Sequence, residues 1–181
     1  MSASFERPVL LSEEHDVDSF DCGVEALNTF LKHHALQNQR NNSARTFVAT
    51  RTDSREVVGF YSLCAASVDF EQTPERIRKG LARHEVPLVL LARLAVDTNC
   101  KGQGLGASLL QDAFLRFMNV QETIGARALL AHAKDAPAKA FYEKWGFVST
   151  EGLPFHLYIL TKTITTTLQA GGGKGQSPGT Y

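Results

Sequence analysis

The stretch from Leu90 to Leu110, LLARLAVDTNCKGQGLGASLL, constrains this chain more than any other. Residues 87–96 are almost continuously apolar, the composition of a strand buried on both faces in the middle of a sheet. The run ends at Asp97 and enters a loop holding Gly102, Gly104 and Gly106. A helix over about 104–119 follows, with Leu105, Leu109, Leu110, Ala113, Phe114 and Phe117 as its buried stripe. Glycines at such a joint let backbone N–H groups approach a ligand closely, and the helix N-terminus adds partial positive charge. The segment therefore suits a phosphate or pyrophosphate, with Lys101 adding a point charge.

Several readings compete for this loop. A P-loop needs Gly-Lys followed by Ser or Thr at its end, which is absent here and also at Gly173-Lys174-Gly175. Gly102, Gly104 and Ala107 satisfy a dinucleotide fingerprint, but that fold places the motif in its first strand–helix–strand unit, and too little chain follows to finish such a sheet. A tight turn rich in glycine for steric reasons alone is the plainest alternative.

Around this centre the pattern reads strand at 7–11, helix at 24–39 with Val24, Leu27, Leu31 and Ala35 on one face, and a hairpin of 46–50 and 57–68. A short basic helix at 75–81, a strand at 127–131 and a helix at 137–145 stopped by Gly146 follow. Strands at 147–149 and 155–161 complete a mixed α/β sheet. Residues 1–168 form one domain, and 169–181, rich in Gly, Ser and Pro, are expected to be a flexible tail. At 43% hydrophobic and 21% charged residues the composition is that of a globular protein, not a disordered or fibrous one. No apolar run is long enough for a membrane span, and the N-terminus lacks the basic head and apolar stretch of a signal peptide. Cys22, Cys64 and Cys100, odd in number and irregular in spacing, read as reduced thiols of a cytoplasmic protein rather than disulfides or metal ligands, and no metal is expected.

The net charge is zero, but its distribution is uneven. Residues 6–25 hold seven acidic side chains against Arg7 alone, whereas Arg76, Arg78, Lys79, Arg83, Arg93 and Lys101 face only Glu85 and Asp97. A basic face attracts polyanions, and solvated charges without a partner are the bland alternative. Arg93 stands inside an apolar strand, where an unpaired cation is costly, so it faces either a cleft or a carboxylate such as Asp97 or Glu85.

Lys101-Gly102-Gln103-Gly104-Leu105-Gly106 resembles the acyl-CoA pyrophosphate loop of the GNAT superfamily of N-acetyltransferases, with Lys101 at a position where that family carries Gln or Arg. The stretch from Asp135 to Phe147, DAPAKAFYEKWGF, resembles the end of the same family's core, with Asp135 where Asn is common. The FDCGVEALNTFL run from Phe20, VGFYSL from Val58 and LARLAVD from Leu91 are similar to a subgroup that serves as toxins of bacterial type II toxin–antitoxin modules. The match spans roughly residues 5–162 and implies a mostly antiparallel central sheet flanked by helices.

What the resemblance implies for chemistry is transfer of acetyl from acetyl-CoA to the α-amino group of aminoacyl-tRNA, which stops translation. It places the pantetheine arm along Leu94, Ala95 and Val96, with the Val96 N–H near the thioester oxygen. The remaining acetyl-CoA contacts fall to Lys101, Gly102, Gln103, Gly104, Leu105, Gly106, Ala107, Asp135, Ala138 and Phe141. Tyr142 donates the proton to the leaving thiolate, and its phenol, with an ordinary pKa near 10, is protonated at neutral pH. An α-amino group titrates near 7.7 to 8.0, so a strong general base is not required, and His132 reads as structural or substrate-facing. Cys100 invites an acyl-enzyme reading that no His-Asp pairing supports. Lys32, Arg40, Arg45, Arg76, Arg78, Lys79, Arg83 and Arg93 are the candidates for binding tRNA. A small DNA-binding antitoxin as partner and a homodimer are expected. The runner-up is a GNAT enzyme acting on a small amine or a protein N-terminus, and a CoA-binding regulatory module without turnover is a third reading, against which Tyr142 argues.

Overall fold

The computed structural model describes residues 4–171, and its architecture turns on the apolar run before the glycine loop. That run is β4 (Val86–Val96), the middle strand of a seven-stranded sheet. Ahead of it come β1 (Val9–Leu10), β2 (Arg45–Thr50) and β3 (Val57–Val68); after it come β5 (Ala128–His132), β6 (Val148–Thr150) and β7 (Leu153–Leu160). The order across the sheet is β1-β2-β3-β4-β5-β7-β6, and every neighbouring pair is antiparallel except β4 and β5. This is the expected mixed, mostly antiparallel sheet flanked by helices.

The parallel pair is short. β4 registers with β5 only from Leu88 opposite Ala128 to Leu91 opposite Ala131, whereas on its other edge it stays paired with β3 as far as Val96. Beyond Leu91 the two parallel strands part, and the β5-side edge of residues 92–96 has no strand partner among the described residues. A bulge lies at the same point: Leu91 opposes Leu63 and Arg93 opposes Ser62, so Ala92 is an extra residue. One extra residue in a period-two strand reverses the faces that follow. Val89, Leu91, Leu94 and Val96 therefore share one face, and Arg93 and Ala95 turn to the other.

Three helices cover the first face: α4 (Leu105–Ile124), α5 (Ala136–Lys144) and α6 (Thr161–Gly171). The six residues expected on the stripe of α4 are all buried, and each fully buried large apolar side chain contributes about 1.5–3 kcal/mol. On the opposite face, α1 (Glu25–Thr29), a π-helical turn Phe30–His34 and α2 (Ala35–Arg40) cover one half, and α3 (Glu75–Arg78) the other. The single helix expected at 24–39 is thus interrupted. Its wider π turn brings adjacent Phe30 and Leu31 both into the core, where Phe30 stacks on Phe60.

The C-terminal helix α6 replaces the end of a strand expected to reach residue 161 and contains 169–171 of the expected tail; residues 172–181 of that tail lie outside the described residues. Its sequence, TKTITTTLQAG, is poor in strong helix formers, so the helix depends on packing. Ile164 is fully buried, and Thr163 lies so close to Gly146 that a Cβ there would sit 2.8 Å from its methyl. Gly146, at φ +97°, ends α5 as the sequence predicts.

A polar cluster ties β1, β3 and α4 together beneath the sheet. The buried Tyr61 hydroxyl donates to Asp112, Arg116 Nε donates to both at 2.9 Å, and Arg116 Nη2 reaches the Pro8 carbonyl at 3.1 Å. Burial, reinforced by Asp112, pushes the Tyr61 phenol far above its ordinary range, so it stays protonated. Replacing Asp112 by Ala leaves the buried Tyr61 hydroxyl without its acceptor and takes one of two acceptors from Arg116 Nε, a loss of about 1–3 kcal/mol. Thermal melting should show Tm lower by roughly 2–10 °C. Pairing that change with Tyr61→Phe should cost less than the sum of the two singles.

Candidate active site

The glycine loop meets α4 with its backbone amides free. Gly102 and Gly104 have φ of +75° and +82°, a left-handed conformation that glycine adopts without strain, and Gly104 is the N-cap of α4. The N–H groups of Leu105, Gly106 and Ala107, the first three of the helix, donate to no group among the described residues. A Cβ placed on Gly106 would lie 3.7 Å from Val96 and 3.8 Å from the ring of Phe141, so this glycine sits where the end of β4, the start of α4 and α5 converge. The unpartnered edge of residues 94–96 opens into the same place. Together these form a cradle for an anion at the helix end and a slot for a strand-like chain beside β4.

Helix α5 supplies the other wall. Asp135 caps it, its carboxylate accepting the Ala138 N–H at 2.8 Å while Lys134 pairs with it at 2.8 Å. Those bonds hold Asp135 below its usual range and use the side chain for the helix start. Phe141 lies half-buried beside the cradle, and Tyr142 is buried edge-on to it and tilted against Phe147. Among the described residues the Tyr142 hydroxyl has no hydrogen-bond partner, and no buried side-chain oxygen is left unpaired, so this hydroxyl reaches solvent. Burial of the ring pushes its pKa up to about 12, which keeps the proton on the oxygen at any physiological pH.

Lys101 is also tied into the protein. Its Nζ donates to the Cys22 carbonyl at 2.8 Å, at the approach to α1. The FDCG segment explains why: Asp97, at the end of β4, accepts the Asp21 N–H at 2.9 Å. Asp21 in turn accepts the Gly23 N–H and the Asn28 side chain, both at 2.8 Å, while Asn28 accepts the Cys22 N–H at 2.9 Å. These partners hold the Asp21 carboxyl below its ordinary value. The segment thereby fastens α1 to the start of the glycine loop. Nothing in the spacing alone revealed that Asp21, Asn28 and Asp97 would meet.

On the face away from α4, Arg93 stacks over Phe30 at 3.7 Å and pairs with neither carboxylate the sequence offered. Asp97 is taken by backbone amides, and Glu85 by Ser67 at 2.9 Å. Among the other basic candidates, Arg40 pairs with Glu13, Arg45 donates to the Gln39 carbonyl and Asn42, and Arg78 and Arg83 share Glu71 and lie over Phe70. Lys32, Arg76 and Lys79 make no ion pair among the described residues. Cys100 is fully buried and its thiol pKa is pushed up by burial, which disqualifies it as a nucleophile. His132 lies one residue beyond the last β4–β5 pair and stacks on His156 of β7 at 4.1 Å, a partner that only the folded sheet reveals.

A parted parallel pair, a glycine-opened helix with free amides and a protonated tyrosine on the adjoining helix are the features of an acyltransferase. The chain belongs to the GNAT family of acetyltransferases: residues 42–149 match the acetyltransferase (GNAT) domain. It is similar to a tRNA-acetylating toxin of Mycobacterium tuberculosis, 40% identical over 160 residues, which are 88% of this chain and 95% of that protein. The solved structure of AtaT complexed with acetyl-methionyl-tRNAfMet superposes with a TM-score of 0.82 at 30% identity, covering 91% of this chain and 99% of that one. A tyrosine-to-phenylalanine variant of AtaT bound to the C-terminus of the antitoxin AtaR and to acetyl-CoA superposes at 0.75 with 29% identity, over 92% and 99% of the two chains. Acetyl-CoA is the acyl donor of this family, supplying an activated thioester, and the cradle fits it. The free amides suit a pyrophosphate and the bare edge of β4 suits a pantetheine amide chain.

Gly106 tests that fit. Gly106→Ala places a methyl at ordinary contact distance from Val96 and Phe141 and should fold normally. Gly106→Leu should keep its Tm within a few degrees but weaken acetyl-CoA binding, measured by titration calorimetry, by at least about tenfold, the effect of losing roughly 1.4 kcal/mol. Unchanged affinity in the leucine variant would remove the cradle from the acetyl-CoA site.

Proposed function

We propose that this protein is the toxin of a type II toxin–antitoxin module, acting in the cytoplasm, which transfers acetyl from acetyl-CoA to the α-amino group of aminoacyl-tRNA and so inhibits translation. The observation that carries this reading is the unneutralised Arg93, half-buried over Phe30 on the face away from α4, in a chain 40% identical to a tRNA-acetylating toxin. A half-buried guanidinium over an aromatic ring and without a carboxylate is suited to phosphate. Arg93 takes the phosphodiester backbone near the acceptor end, and Lys32, Arg76 and Lys79 extend the electrostatic path. The candidates already engaged locally, Arg40, Arg45, Arg78 and Arg83, contribute less.

Within the cradle, the amides of Leu105, Gly106 and Ala107 hold the pyrophosphate, with Gly102, Gln103 and Gly104 shaping the loop. Leu94, Ala95 and Val96 align the pantetheine arm, against Ala138 and Phe141. Tyr142 protonates the departing thiolate, and its raised pKa makes it a donor that is never lost to ionisation. A small DNA-binding antitoxin restrains the enzyme, since blocking aminoacyl-tRNA poisons the host. The smaller alternative acceptor, a free amine, draws support from the acidic Asp69 and Glu85 at the rim of the open face.

Incubation with charged tRNA and labelled acetyl-CoA, followed by mass analysis of the aminoacyl group, decides between the two acceptors. Tyr142→Phe should bind acetyl-CoA as wild type does and lose on the order of 10²–10⁴-fold in turnover, because only the hydroxyl is removed. In cells, the wild-type protein expressed alone should arrest growth, the Tyr142→Phe form should not, and the adjacent small open reading frame should restore growth. Growth and translation untouched by high-level wild-type expression would refute the toxin reading and favour the free-amine enzyme.

A further inference from the structure

His132 and His156 stand where an acceptor amine has to pass. They oppose each other in register on β5 and β7, with ring centroids 4.1 Å apart and planes 28° from parallel. Both line a cavity of about 430 Å³ whose floor includes Leu90, Leu130 and Tyr158, the residues that pack on the α3 side of the sheet. Alternation along β5 puts His132 on the same face as Leu130. The cavity therefore begins at the last paired residues of β4 and β5, and His132 marks the point where the strands part. Helices α4, α5 and α6 close the other face, where the amide cradle and Tyr142 lie. An amine aimed at a thioester carbon in the gap must come from the cavity side.

Resting on the aminoacyl-tRNA reading above, we propose that His132, steadied by His156, takes a proton from the ammonium form of the acceptor and so frees the amine for attack. The amine nitrogen bonds to the carbonyl carbon of the acyl thioester, the C–S bond breaks, and the thiolate takes the proton of Tyr142. The second proton that the nitrogen sheds returns to the Tyr142 phenolate through water, and the imidazolium releases its proton to solvent, leaving an amide and a thiol.

The groups that face this imidazole fit the role. His156 and Tyr158 project from β7, Asp69 follows β3, and Glu85 precedes β4, while the nearby Lys134 and Asp135 pair with each other. Partial burial first, and then the neighbouring His156, lower the His132 pKa below its usual value, so the ring is neutral and ready at neutral pH. A free α-amine fraction exists at neutral pH without help, so the base counts most below the amine's own pKa.

The test compares pH profiles of kcat/KM for the full-length protein with charged tRNA and acetyl-CoA, using His132→Asn, His132→Ala and His156→Phe. Both His132 variants should retain acetyl-CoA affinity and lose on the order of 10²-fold at about pH 6.5, with the defect shrinking several-fold by about pH 8.5 as the amine deprotonates unaided. His156→Phe keeps the stack and removes the neighbour that lowers the His132 pKa, so the acid limb should move upward in pH. A His132→Asn enzyme as active as wild type at the lower pH, or a loss equal at all pH values, overturns the proposal while leaving the substrate reading intact. A wild-type enzyme that acetylates no charged tRNA overturns both.

Discussion

The structure depends on one interrupted pairing. Two parallel strands in the middle of a sheet ordinarily stay registered, because each unpaired N–H or C=O in a dry interior is costly. Here β4 leaves β5 after Leu91 while remaining bonded to β3. The bulge at Ala92 accompanies the parting and turns Arg93 and Ala95 away from α4. From that single irregularity follow a bare strand edge beside the free amides of α4 and an arginine on the opposite face. Without the extra residue, Arg93 would fall on the face that α4 covers.

What holds the irregularity in place is polar. Asp97 closes the end of β4 by accepting from Asp21 and Asn99, and the Asp21–Asn28–Cys22 bonds lock the first helix to that end. Lys101 completes the tie through the Cys22 carbonyl. Each such bond contributes about 1 kcal/mol net, but a buried member left unpaired costs more, which makes the set behave as one unit. The loop that offers its amides to an anion is thereby fixed from behind by side chains that do not touch the anion.

Charge in this protein is managed locally before it is offered outward. A count of basic residues between 76 and 101 suggests a broad positive face, yet Arg78 and Arg83 spend their charge on Glu71 and the ring of Phe70. Arg93 differs because its neighbours are Phe30 and Cys64, neither of which neutralises it, and desolvation weakens its hold on the proton. A cation kept half-dry and unpaired is an expense in stability that a ligand can relieve.

The central strand, the glycine loop, the amphipathic stripe of α4 and the stop at Gly146 were legible in the sequence, because each is a local pattern of burial or backbone freedom. The strand boundaries of β3 were legible for the same reason. The π turn at Phe30–His34 was not, since it arises from packing Phe30 and Leu31 together against Phe60. Nor was α6, whose threonines favour a helix only when Ile164 has a core to enter and Gly146 leaves room for Thr163. Tyr142 could be named from its motif, but its solvent-reaching hydroxyl and raised pKa are properties of burial. Lys101 and Asp135 stand out in the sequence by their motifs, while their partners, Cys22 and Ala138, were set by the fold. Sequence alone determined the glycine-opened joint between strand and helix and the phenol at Tyr142, because backbone freedom and a side-chain hydroxyl follow from residue type. Tertiary structure decided where β4 and β5 part, which face Arg93 takes and that His132 meets His156, because register and bulges depend on contacts between strands far apart in the chain.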